Sequence, residues 1–584
     1  MAESESNRKV AIGADEGRPG SISERVRDRK LVYIKRMEWV VALLLSATVL
    51  FFIIARTVNA GALWRDECDS LQLARMPTFA DLLEHLHFTA FPILFPTTVR
   101  TYTTLFGTTD IALRCFGLAV GILFLGAAWF QSRILNCGAP LVLPALIGLN
   151  VNFLAAGLWL RGYGLGIVLL ILAFALTGKF LLQPNARALM VVFLACLASM
   201  QCLFFNAVLV VAIVLAASAV LLIRRQWKWM WLLLGVAAVC GLTYLPYIWK
   251  IYSSTITWAV VVQTPFSWEW LMRGFLAACG ERELVGAIIS ARDFEVTREL
   301  TFVLFCRAVL WRSIMLLCII AGLWRLKIVW NTDRTRERDM LLFALLVVPM
   351  GILAHFGFLR LMQNIIMQRY HLAVISLVAA AASLIAANIS SYYWIYFGRI
   401  ALVLMAMTML PFAPWGKLHE RKSNIDIVAQ RVEADARRSD LIVVNDAQLG
   451  ISFNRYYHGA NRWITVPDIA DHRIHRYDLM QKKMTEFFPL DDVKKDITAT
   501  LKSGNRVWIV GIIGKPLERS ETLLTPAPDP QFGWQLPFYI NAWSRELGTF
   551  LRRHAGRVNP IVRKEKSVSD WEDSQLFVCE GWRY

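Results

Sequence analysis

"LWRDECDSLQLAR" (Leu63–Arg75) carries five charged side chains in thirteen residues, directly after the almost wholly apolar run 38–58. That contrast decides the fold. A run of about twenty apolar residues is long enough to cross a bilayer, whereas acids in the hydrocarbon are costly. Asp66, Glu67 and Asp69 therefore stand just where the chain leaves a membrane. The segment reads as a short helix, on which residues three and four apart share a face. Asp66, Asp69 and Ser70 then point one way, Glu67 and Leu71 another. Asp66 admits two readings. It caps the helix by accepting from the amide of Asp69, acids being favoured at a helix N-terminus, or it is held at the membrane edge for chemistry.

The rest of the chain agrees with a membrane. Its 584 residues are 56% hydrophobic and 18% charged, against about a quarter charged in ordinary soluble domains. About eleven apolar stretches reach spanning length: 38–58, 111–130, 139–158, 162–182, 187–203, 206–223, 229–249, 301–324, 340–358, 371–388 and 392–412, with the pair around Gln201–Asn206 also readable as one long helix. The net charge of +18 is dispersed and follows the enrichment of Lys and Arg in cytoplasmic loops; no nucleic-acid-binding motif is present. Ten scattered cysteines without a CxxC argue against a disulfide framework or zinc site.

Residues 1–36 read as a disordered basic cytoplasmic tail, too long and charged for a signal peptide; Arg25–Arg36 alone holds six basic residues. Arg133, Lys179, Arg187, Arg224, Arg225, Lys228 and the loop "WRLKIVWNTDRTRER" (324–338) mark the inner side. This places the "RDECDS" loop and the C-terminus outside. Residues 37–414 form the transmembrane module. Residues 415–584 turn polar, with β-like runs at 440–444, 462–466, 506–511 and 575–579, a helix-length stretch at 478–502 and a Pro-rich loop at 525–534. That alternation predicts an extracytoplasmic α/β domain large enough to bury a core.

Past the acids, Phe79, Leu82, Leu83 and Leu86 recur at helical spacing, with Asp81, Glu84, His85 and His87 off the stripe. This predicts an amphipathic helix, lying in the outer interface or packed on the bundle. The loop 280–300 is amphipathic in parts and suits a cover over an acceptor entrance.

An acidic pair in the first outer loop resembles the GT-C superfamily of membrane glycosyltransferases, which includes protein O-mannosyltransferases and the aminoarabinose transferase of lipid A. The stretch "FPILFPTTVRTYTTLFGTTDIALR" from Phe91 is similar to a family segment, keeping its outline at Pro92, Leu94, Arg100, Phe106, Gly107, Asp110 and Arg114. Phe91 stands where the family often has His, so any role of that His is lost or moved to His85 or His87. "WLRGYGLG" from Trp159, "MQRYHLAVISLV" from Met367 and "SFNRYYHG" at 452–459 resemble three further motifs in family order.

The resemblance implies a polytopic α-helical GT-C fold with outer juxtamembrane helices and the C-terminal α/β domain. It implies transfer of a sugar, with inversion, from a polyprenyl-phosphate donor to a lipid, polysaccharide or protein hydroxyl outside a bacterial inner membrane. That chemistry wants a carboxylate to take the acceptor's proton and cations for the leaving phosphate. Carried over by motif, Asp66 is the base and Glu67 the second acid, with Asp69 a secondary candidate. Arg161 and Arg369 suit the phosphate, since the guanidinium fork fits its oxygens; the alternative is that they snorkel to the interface. Tyr163 and Tyr370 would line the donor groove. Arg100 and Arg114 read as structural partners of acids such as Asp110.

His371 is a further secondary candidate, with His355 near the same face. "DHRIH" (471–475) carries histidines at i, i+3 but no other ligand cluster nearby, and reads as surface. No cofactor is required; a divalent metal at Asp66 and Glu67 is compatible with the resemblance, though two acids do not define a metal site. The rival reading is a multi-span transporter or glycolipid flippase. Against it, the notable acids lie outside the spans and no internal repeat is visible.

Overall fold

The computed structural model describes residues 22–86, 91–248, 267–278, 316–332, 334–362, 367–389, 396, 398–401, 403, 418–517, 524–565, 567–569 and 571–584. The loop 280–300, His87, most of 301–324 and 392–412, and the first 21 residues lie outside that set.

Six helices among the described residues are long and apolar enough to cross a membrane: Val32–Asn59, Asp110–Leu135, Gly162–Leu182, Phe204–Ile223, Thr335–Leu361 and Gln368–Ile389. Two shorter apolar helices, Ala186–Cys202 and Trp227–Leu242, accompany them. In chain order the first nine helices are α1 (Ile22–Asn59), α2 (Arg65–Ala74), α3 (Phe79–His85), α4 (Leu94–Phe106), α5 (Asp110–Leu135), α6 (Gly162–Leu182), α7 (Ala186–Cys202), α8 (Phe204–Ile223) and α9 (Trp227–Leu242). Capping sets several of their starts. Thr109 Oγ1 accepts from Ala112 N at α5, Asn185 Oδ1 from Ala188 N at α7, and Thr78 and Asp81 cap α3 reciprocally.

The stretch expected to span over 139–158 does otherwise. It forms two wide π-helical turns, Pro144–Gly148 and Phe153–Gly157, buried inside the bundle. Apolar composition reports burial, not helical continuity, and Pro140 and Pro144 interrupt the hydrogen-bond ladder here. The close packing needs glycine: a Cβ on Gly164 would come within 1.9 Å of Gly157 O, and one on Gly117 within 2.2 Å of Leu158 O. At the bundle centre, helix Leu372–Ile389 is buried at every position from 372 to 386.

The C-terminal residues build a five-stranded mixed sheet of β1 (Leu441–Asn445), β2 (Trp463–Thr465), β3 (Val507–Gly511), β4 (Ala555–Val562) and β5 (Leu576–Trp582), in the order β2-β1-β3-β5-β4. β1 runs parallel to β2 and β3; β5 runs antiparallel to β3 and β4. Alternate residues face opposite layers. Leu441, Val443, Val507 and Ile509 enter one core with helices Tyr477–Met484, Asp491–Lys502 and Leu536–His554. Ile442, Val444, Trp508 and Val510 enter the other with helices Ile425–Asp435 and Gly450–Tyr456. The stretch 478–502, read as one helix, is two, broken before Asp491 because Pro489 disfavours helical backbone at the residue before it.

Candidate functional site

α2 is ten residues long and eight of them are buried, Asp66, Glu67 and Asp69 included. A buried carboxylate is tolerated only when paired and hydrogen-bonded, so the partners define the site.

The Glu67 face is committed to structure. Oε1 accepts from Arg114 Nη1 at 2.7 Å and from Leu160 N at 2.9 Å, and Oε2 accepts from Trp64 N at 3.4 Å. Arg114 also donates to the carbonyls of Gly61 and Ala62. Glu67 thus ties the exit of α1 to α5 and to the start of α6, and faces away from Asp66. The expected pairing of Arg114 with Asp110 is replaced: Asp110 takes Arg455 Nη2 at 2.6 Å and the Tyr456 hydroxyl at 2.8 Å. Arg100 is structural, donating to the carbonyls of Ala74 and Met76 at the end of α2. Asp66 is not the cap of α2; that position is Trp64.

The opposite face gathers the chemistry. Arg161 Nη1 donates to Asp66 O at 2.8 Å and to Asp69 Oδ2 and Ser70 Oγ at 3.3 Å. Asp66 Oδ2 lies 3.8 Å from Arg161 Nη2 and 3.6 Å from Arg369 Nη2. Among the described residues, the Nε atoms of both arginines are buried without a hydrogen-bond partner. Phe91 is fully buried and lies under Arg161, 4.7 Å from its Cζ.

Tyr163 packs edge-on against Phe91 and 6.4 Å from Tyr370, whose ring stacks on Phe205. The two tyrosines are thus neighbours, Tyr163 fully buried and Tyr370 partly exposed. Arg369 also sits over Trp64, Trp159 and Tyr370. His371 lies apart: its Nδ1 is 3.1 Å from His355 Nε2 and both rings are buried in the bundle. His85 Nδ1 is bonded within α3 to Asp81 O.

Two residues were missed by the sequence reading. His475, taken for surface, is buried: its Nε2 is 3.2 Å from Asp66 Oδ1 and its backbone N–H donates to Asp69 Oδ1 at 3.0 Å. The loop carrying it is anchored by Ile474, which packs with Leu73, Met76, Leu82 and Leu86. The only signal was the isoleucine between two histidines. Lys422 is the second. Its Nζ sits 4.8 Å and 4.5 Å from the ring centroids of Trp64 and Trp159, and burial, with Arg56 nearby, brings its ammonium down to about 8.

Burial alone would push the Asp66 carboxyl up. Arg161, the hydrogen bond to His475 and Arg369 outweigh it and hold that carboxyl well below the usual range. Asp69 goes the other way: burial raises it against His475 and Arg161. Asp66 is therefore an anion at any physiological pH. A divalent ion shared by Asp66 and Glu67 does not fit, since the two carboxylates face opposite sides of α2 and both Glu67 oxygens are engaged. Among the described residues no group of three or more His, Cys, Asp or Glu side chains is placed to hold a metal ion.

The C-terminal domain closes over α2 by a second contact. Tyr456 OH accepts from Leu63 N at 2.7 Å, and Gln72 bridges Ile451 O and Asn454. This is the "SFNRYYHG" segment singled out in the sequence.

No family model and no curated protein matches the chain. Solved structures do. ArnT from Cupriavidus metallidurans bound to undecaprenyl phosphate overlaps 80% of this chain and 92% of its own, at 13% identity and TM-score 0.35. The archaeal oligosaccharyltransferase AglB from Archaeoglobus fulgidus, in complex with an inhibitory peptide and a dolichol-phosphate, overlaps 80% and 69%, at 9% identity and TM-score 0.43. Both are GT-C polyprenyl-phosphate-dependent glycosyltransferases, the superfamily that the sequence motifs resemble. At these scores the overlap transfers no residue role, and the functional reading rests on the site's own geometry.

Proposed function

We propose that this chain is a membrane glycosyltransferase that passes a sugar, with inversion, from a polyprenyl-phosphate donor to an acceptor hydroxyl on the extracytoplasmic face of a bacterial inner membrane. The observation that carries the reading is the pair Arg161 and Arg369. Both guanidiniums flank Asp66 Oδ2, and both keep a buried N–H donor unmet among the described residues. Such donors are costly unless an anion completes them. A phosphate at the edge of the membrane, on a lipid tail, is an anion of the right shape.

The roles follow from charge. Arg161 and Arg369 hold the phosphate and stabilise it as it leaves. Tyr163 and Tyr370 line the donor side. Asp66 and His475 form the couple on the acceptor side, where the hydroxyl proton departs. Glu67 keeps the frame. An acceptor and a donor are all the reading needs; no cofactor enters it.

The test uses membranes carrying the full-length protein, supplied with polyprenyl-phosphate mannose, glucose, galactose and aminoarabinose, each radiolabelled. Wild type transfers label from one of them. Asp66→Asn, matched for level and insertion, loses transfer by about 10²–10⁴-fold. Equal transfer by both would reduce Asp66 to a structural acid.

A further inference from the structure

We infer that the outer domain supplies the general base of the reaction: His475, through Nδ1, with Asp66 as the carboxylate that orients it. The inference rests on the glycosyltransferase reading and sharpens it. It names the atom that takes the proton.

The geometry fixes which nitrogen is available. Asp66 is ionised, and an ionised carboxylate only accepts hydrogen bonds. The nitrogen 3.2 Å from Oδ1 is Nε2, so Nε2 carries the hydrogen. In the neutral ring the lone pair is then on Nδ1. Among the described residues His475 makes two hydrogen bonds, through Nε2 and through its backbone N–H, and neither uses Nδ1. The ring is held in plane by Tyr477, stacked 5.4 Å away with only 9° between the rings. The backbone is pinned by Asp69 Oδ1. A carboxylate on one ring nitrogen, a free lone pair on the other and a fixed ring plane are the components of an oriented imidazole base.

Asp66 itself is the poorer acceptor. Its Oδ1 is taken by His475 and its Oδ2 faces two guanidiniums. Its carboxyl is held well below the usual range by those same groups, against burial. A base needs a lone pair open to the acceptor, which Nδ1 of His475 has and the engaged oxygens of Asp66 lack. Among the described residues, the charged and titratable groups around the ring include Asp66, Asp69 and Arg65 of α2, Arg161, Arg369 and Tyr370 beyond Asp66, and Tyr477 of its own segment. One carboxylate on each anchoring point stabilises the imidazolium that forms.

The step balances without a further reactant. The acceptor oxygen bonds to the anomeric carbon as the carbon–oxygen bond to phosphate breaks. The bonding pair leaves on the phosphate oxygen, facing Arg161 and Arg369. The hydroxyl proton goes to Nδ1 and later to water.

The experiment measures kcat and KM for the donor against pH, in membranes carrying the full chain, for wild type, His475→Gln and His475→Ala. Gln keeps an N–H for Asp66 but has no basic nitrogen. The expected result is a kcat lowered by about 10²–10⁴-fold in both variants, with donor KM within threefold and the acid limb of log kcat absent. Added imidazole restores part of the His475→Ala rate, more so at higher pH. A purely structural histidine predicts the opposite: Gln near wild type, the acid limb intact and no imidazole rescue. That outcome returns the proton to Asp66 and leaves the glycosyltransferase reading standing. No transfer by wild type from any donor overturns that reading and the base with it.

Discussion

The guanidinium of Arg369 stops 3.6 Å from Oδ2 of Asp66, near enough to share charge and beyond a strong hydrogen bond. Arg369 comes from the opening turn of a late candidate span and Asp66 from α2. Charge is balanced between the two, while the buried Nε of Arg369 finds no hydrogen-bond partner among the described residues.

Lysine keeps the charge of an arginine and loses its fork. Arg161→Lys and Arg369→Lys are therefore expected to fold. Each should lower kcat/KM for the lipid donor by roughly 10–100-fold, about 1.4–2.7 kcal/mol, with acceptor KM unchanged. Unaltered donor kinetics would show that the arginines snorkel and do not bind phosphate.

Glu67 makes a different prediction from its neighbour. Glu67→Gln leaves the partly buried Arg114 without its counter-charge, a loss approaching about 3 kcal/mol, the low end for a broken buried pair. The variant should melt earlier in detergent and accumulate poorly. Adding Arg114→Met should recover part of the melting temperature, which a catalytic role for Glu67 would not allow.

Glu572 should make stability depend on pH. It accepts from Arg65 N at 2.8 Å and from Ser423 Oγ at 2.8 Å. Burial nevertheless pushes its carboxyl up to about 7 from 4.5. The folded state therefore holds this proton more tightly than the unfolded chain. Stability is fully present below about 4.5 and falls as pH rises to about 7, by about 3 kcal/mol from this group. Thermal melts of wild type should show that decline, and Glu572→Gln should flatten it.

Tyr456→Phe tests how the C-terminal domain is held. The hydroxyl accepts from Leu63 N and donates to Asp110 Oδ2. Its removal leaves a backbone donor unmet, at about 1–3 kcal/mol. Limited proteolysis should cut between the two parts sooner, with the helical bundle itself unchanged.

The site was half legible. Helical spacing alone separated the Asp66 face from the Glu67 face, and both fall where the spacing put them. Arg161 and Arg369 were legible as basic residues at span ends with motif neighbours. What spacing could not say is that Glu67 is consumed by Arg114, because that depends on where α5 packs. His475 was illegible for a stronger reason: it meets Asp66 across a sequence separation of 409 residues, from a polar loop without period. Lys422 carries no local signal at all; its partners are two indoles from another module. In the fold, hydropathy found the six long helices but misread 139–158, since π turns and α-helices bury apolar side chains alike. Strand β4 escaped because it is an edge strand, largely exposed and carrying Pro560, which hides alternation.

The reach of the 471–476 loop onto α2 also bears on how the protein is made. Asp66 is synthesised early and His475 late, so a nascent chain holds the acid without its imidazole. The couple comes into being only when the C-terminal domain has folded back onto α2. Until then Asp66 faces Arg161 and Arg369 without the imidazole. The order of synthesis thus makes the Asp66–His475 contact a late event, closed across 409 residues of sequence.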